Sequence, residues 1–187
     1  MIQTAQKSIF LILLLSLLSG SVGATENSSA PAETVTPAAP EPIPIMKCLN
    51  PALHITVIAS QGLLILCEKG EGTKTYRVSL GTGGIDKKIE GDRKTPSGIY
   101  TLGKPRSSDR FGIFIPVDYP TQAQKLAGFT GAGVGIHGPD RAYQFLGDLT
   151  VMVNWTAGCI AVGYDLEINE IKDWILEKHP QFIQITP

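Results

Sequence analysis

The sequence predicts a mainly β domain, a sandwich or barrel with one short and one longer peripheral helix. Three observations point there. From Leu53 onward, short apolar or alternating runs recur between Gly, Pro and Asp turns, the pattern of many short strands in two layers or a closed sheet. Only two stretches carry helical spacing instead. No internal repeat is visible.

Taken in order, residues 53–59 and 63–67 flank Ser60-Gln61-Gly62, a turn of hairpin length ending in Gly. Residues 73–80 set Tyr76, Val78 and Leu80 against Thr75, Arg77 and Ser79, the alternation of a half-buried strand. Further strands are expected at 98–102, 112–117, 134–137, 159–162 and 182–186. Thr121-Gln122-Ala123-Gln124 has capping-box spacing after Pro120 and predicts a short helix to about 127. Asp165 is placed to cap a longer helix to about 178, with Leu166, Ile168, Ile171, Trp174 and Ile175 as its apolar stripe.

The chain ahead of these elements reads differently. Lys7, the apolar run 8–18 and Val22-Gly23-Ala24 have the order of a secretory leader, expected at 1–24. The run is shorter than the ~20 residues that span a bilayer, with an uncleaved anchor as the rival reading. Leu17-Leu18-Ser19-Gly20-Ser21 resembles a lipoprotein box but has Ser21 where a lipidated Cys is required. Residues 25–47, with Pro31, Pro37, Pro40, Pro42 and Pro44 among Ala, Thr, Ser and Glu, read as a disordered or extended linker. The domain is therefore expected at 48–187, roughly 140 residues and enough for one core. An exported protein of the periplasm or cell envelope follows. With a net charge of −1 nothing points to nucleic acid as a partner, and no long basic run points to a membrane surface.

Three cysteines are an odd number for an exported chain. The economical arrangement bridges Cys48 to Cys67 and leaves Cys159 free; the alternative keeps both reduced as small buried hydrophobes. Pairing of Cys159 with either would remove it as a nucleophile. Thr156-Ala157-Gly158-Cys159-Ile160, with Ile136-His137-Gly138 upstream, offers a thiol, an imidazole and small residues that let a carbonyl carbon reach sulfur. A free thiol is only a few per cent ionised at neutral pH, and a neighbouring imidazole can take its proton. With three histidines in all, no His-Glu-x-x-His and no closely spaced Cys pair, neither a metal nor another cofactor is expected.

His137-Gly138 followed by Thr156-Ala157-Gly158-Cys159 resembles the active-site region of the L,D-transpeptidases, the YkuD-type catalytic domain. Val78-Ser79-Leu80-Gly81 and the run from Gly91 to Tyr100 fit the same family, so the resemblance covers roughly residues 53 to 165. It departs at Ala157, where many members carry a second His, and at Ala161, where many carry a polar residue. The spacer is also longer. These mark a subgroup with the signature Trp155-Thr-x-Gly-Cys-Ile-Ala161.

The resemblance implies an L,D-transpeptidase-like β fold, Cys159 as nucleophile and His137 as base, its ring held by a backbone carbonyl for which Gly138 is the candidate. Backbone N–H groups of Gly158 and Cys159 are the candidate oxyanion donors, and Thr156 is placed to orient their loop. Tyr119, Tyr143 and Trp155 are candidates to line a substrate groove. The implied reaction passes an acyl group from peptidoglycan tetrapeptide stems, through a thioester, to an amine of another stem or of a wall-linked protein. The alternative gives it to water, as an L,D-carboxypeptidase or amidase. A monomer serving cell-wall construction, and thereby cell shape, is the expectation.

Overall fold

The structure is a computed structural model that describes residues 46–187. The leader and, but for its last two residues, the linker lie outside the described residues. Strands are β1 (His54–Ile58), β2 (Leu63–Glu68), β3 (Glu71–Ser79), β4 (Gly98–Tyr100), β5 (Arg106–Ser108), β6 (Gly112–Pro116), β7 (Gly135–His137), β8 (Ile160–Val162) and β9 (Phe182–Thr186). Helices are α1 (Gln122–Leu126) and α2 (Asp165–Lys178).

Among the described residues these strands form one sheet in the order β4-β9-β1-β2-β3-β8-β7-β6-β5. It is curled, because β3 serves two halves: most of it pairs with β2, while its end, Val78 and Ser79, pairs with β8. The segment after β4 then meets the end of β6, the last strand but one at the other side. Leu102, just past β4, bridges Val117, just past β6, and Gly103 N–H donates to Pro116 O at 2.7 Å. All strands but β5 turn one face inward, so Ile55, Leu64, Tyr76, Val78, Ile136 and Ile160 share one core. α2 covers it with Ile168, Ile171 and Ile175.

Four local expectations are corrected. Leu166 is 70 % exposed, because two residues from Ile168 is about 200° around a helix. Asp165 is the first helical residue rather than the cap; the cap is Tyr164, and Glu167 accepts from the Gly163 and Tyr164 N–H groups at 3.0 and 3.1 Å. Ser79 is buried, its hydroxyl donating to Val153 O at 2.9 Å and accepting from Trp155 N–H at 3.0 Å. β5 and a 3-10 segment, Gln144–Val151, were not expected: β5 is short and polar, and Gly147, at φ 51°, kinks the 3-10 segment.

Cys48 and Cys67 are joined by a disulfide, with Cα atoms 6.0 Å apart. The entering segment lies against the β2–β3 turn, Cys48 N–H donating to Gly70 O and Gly72 N–H to Met46 O.

Candidate active site

β7 and β8 run parallel, with Ile136 opposite Ile160 and His137 opposite Ala161. Cys159 stands one residue before β8, so its side chain leaves the same face as those of Ala161 and His137. Thiol and imidazole thus sit on neighbouring strands, two register positions apart. Cys159 is the free cysteine among the described residues and is partly exposed.

His137 is 1 % exposed, and its Nδ1 lies 2.7 Å from the carbonyl oxygen of its neighbour Gly138. A carbonyl only accepts, so Nδ1 of the neutral ring carries the proton and Nε2 keeps the lone pair. Phe111 stacks on the ring with centroids 3.9 Å apart, and Trp155 meets it edge-on at 5.7 Å. Burial pushes the imidazole down to about 4, with Arg110 adding to the effect and the Gly138 bond and Asp140 opposing it. Burial pushes the Cys159 thiol up, against a backbone hydrogen bond from Gly135 and the charge of Lys87. The thiol also donates to Gly133 O at 3.4 Å.

The loop between Trp155 and Cys159 is set by one hydroxyl. Thr156 Oγ1 donates to Cys159 O at 2.7 Å and accepts from Gly158 N–H at 3.1 Å. That second bond occupies one of the two expected oxyanion donors, which leaves the Cys159 N–H as the stronger candidate of the pair. Gly158 has φ 129°, and a Cβ there would stand 2.5 Å from Lys94 O. Glycine is needed on both grounds.

Two clefts flank the site. One of about 400 Å³ opens at Cys159, with Lys87, Arg93, Gly133, Ala157 and Gly158 in its walls. The other, of about 410 Å³, is lined by Tyr143, Leu146, Leu149, Trp155, Arg110 and Asp140. Tyr143 and Trp155 thus stand in a groove. Tyr119 does not: it is 5 % exposed, packed in the core, and its hydroxyl donates to Lys87 O at 3.1 Å. A large amphipathic ring in a strand-rich stretch serves packing as readily as binding.

Sequence reasoning missed Lys87, Arg93, Arg110, Phe111 and Asp140. Lys87 is buried and pairs with Asp92 at 2.7 Å. Burial would raise the Asp92 carboxyl, but Lys87 and the N–H groups of Lys94, Lys88 and Ile89 hold it far below the usual carboxylate range. Asp92 is therefore turn chemistry that also fixes a cation beside the thiol. Arg110 lies 5.0 Å from the Phe111 ring and pairs with Asp140 at 2.7 Å. The clustered charges from Lys87 to Lys94 were the available signal, but only folding shows which of them turn towards Cys159.

The match to the YkuD family model, an L,D-transpeptidase catalytic domain, runs over residues 52–183, and the chain belongs to that family. Among solved structures it is similar to the helical cell shape determining protein Pgp2 from Campylobacter jejuni, at 24 % identity and a TM-score of 0.57. Bd1075 from Bdellovibrio bacteriovorus matches at 24 % identity and a TM-score of 0.50. Both matches cover 71 % of this chain and 46 % of the other, so the chain spans less than half the length of these proteins. At that identity they establish a shared fold. No curated protein sequence matches the chain.

Proposed function

We propose that the protein is a cell-wall L,D-transpeptidase of the periplasm or cell envelope. Cys159 Sγ attacks the carbonyl carbon of the third, L-configured stem residue while His137 Nε2 takes the thiol proton. The amide C–N bond breaks, and the imidazole returns that proton to the departing amine of the terminal D-residue. An acceptor amine then attacks the thioester, His137 removes its proton, and the thiol is restored as the new amide forms. The observation that carries this reading is a partly exposed free thiol on the same sheet face as a buried imidazole of the neighbouring strand, whose lone-pair nitrogen is fixed by Gly138. Arg93, exposed in the thiol's cleft, suits a substrate bearing a carboxylate.

One observation favours hydrolysis as the second reading. Ala157 lines the cleft at Cys159 and offers no side-chain polar atom to hold an acceptor amine. Water would then accept the acyl group, giving a carboxypeptidase or an amidase that detaches wall-linked protein. Intact-mass spectrometry after mixing with a carbapenem is expected to show one adduct on the wild type and none on Cys159→Ser. A folded wild type without an adduct sinks both readings. Labelled wall fragments then separate them: new cross-links mean transfer, shortened stems or released protein mean hydrolysis.

A further inference from the structure

The disulfide has a third metal-ligating group beside it. His54 is the cross-strand partner of Cys67 in the β1–β2 ladder, so their side chains leave the sheet next to each other. Cys48 reaches the same place from the entering segment, and one ligand atom from each of Cys48, His54 and Cys67 lies within 4.8 Å of the others. The fully buried His54 ring is oriented as a ligand's would be. Its Nδ1 is 2.7 Å from the Ala52 carbonyl, which fixes the proton there and leaves Nε2 with the lone pair. Nε2 accepts from the Thr56 hydroxyl at 2.9 Å, and that same oxygen is 3.6 Å from Cys67 Sγ, so lone pair and sulfur converge on one point. Phe182 stacks on the ring at 4.8 Å and holds its plane.

We propose that reduction of the Cys48–Cys67 bridge opens a zinc site made of Cys48 Sγ, Cys67 Sγ and His54 Nε2, with water as fourth ligand. A dithiol reductant supplies two electrons and two protons, the S–S bond breaks, and the reductant closes to its own disulfide. Zinc then displaces the two thiol protons to solvent and binds two thiolates and a neutral imidazole, a donor set that suits its tetrahedral preference. While the bridge is intact the sulfurs carry no charge to offer, so the oxidised form has only the imidazole. A cavity of about 120 Å³ lies beside the site, with Cys48 and the Thr56 that binds His54 in its wall. Neither Cys159 nor His137 takes part, so the site stands apart from the proposed acyl transfer.

The test uses the full chain carrying Cys159→Ser, which removes the third thiol. It is reduced with a phosphine, freed of reductant, and titrated with zinc ion against a chromogenic chelator, beside the oxidised form. About one zinc per reduced chain is expected, and none on the oxidised chain. His54→Gln should weaken binding at least about tenfold. Should that variant misfold, X-ray absorption of zinc on the reduced chain with His54 in place still decides, by showing two sulfurs and an imidazole nitrogen. A reduced chain that takes up no zinc, an oxidised chain that takes up as much, or a shell without imidazole overturns the proposal.

Discussion

Burial acts in opposite directions on the two groups of the proposed catalytic pair. It raises the Cys159 thiol and lowers the His137 imidazole to about 4, so both rest neutral near pH 7. The proton then moves during attack rather than before it. Alkylation of Cys159 by iodoacetamide should accordingly rise with pH through a value above the ordinary thiol range. A rate already level between pH 5 and 7, read by mass spectrometry, contradicts a neutral resting pair. The same imidazole makes the fold acid-sensitive. Its folded value lies below the unfolded one, so the unfolded chain binds the extra proton and stability is complete above about 6.5. It falls as pH drops from there towards 4, by on the order of 3 kcal/mol. Chemical denaturation across that window should show the slope in the wild type and lose it in His137→Gln. Thr156→Val removes a hydroxyl that binds both Gly158 and Cys159. Its turnover of labelled stems should fall more than its substrate affinity.

At the scale of elements, the tight turn into β8 and the apolar face of α2 make contrasting demands. Gly158→Ala would set a Cβ against the Lys94 carbonyl and should abolish carbapenem acylation while the core strands persist, checked by circular dichroism beside the mass assay. On α2, Ile171 is fully buried and Leu166 is exposed. Ile171→Ala should cost about 2–5 kcal/mol, whereas Leu166→Ala should cost under about 0.5, measured by denaturant midpoints. Most elements were legible because alternation and helical spacing state which face is buried, as at Tyr76, Val78 and Leu80. Leu166 was misplaced because apolar identity was counted without its angle around the helix. β5 and Gln144–Val151 carry no usable period, and only packing defines them. Cys159, His137 and Gly138 were legible from motif and chemistry. Phe111 and Arg110 were not, since nothing local says that β6 brings its neighbours against β7.

For the whole molecule, the disulfide closes a loop with a sequence separation of 19. Cys67→Ser should lower stability by about 3 kcal/mol on loop-entropy grounds, seen as an earlier thermal midpoint with the Cys159 adduct still formed. Cysteine arithmetic favoured that pairing over a reduced pair without deciding it, and the contact of the segment after β4 with the end of β6, across the curled sheet, is a long-range result no local pattern announces. The bridge also decides how the domain answers a mechanical pull. Tension arriving at Lys47 would otherwise peel the Cys48–Gly70 and Gly72–Met46 hydrogen bonds one after the other. Through the sulfur bond it enters the sheet at β2, between β1 and β3, away from β7 and β8, which carry the proposed catalytic pair.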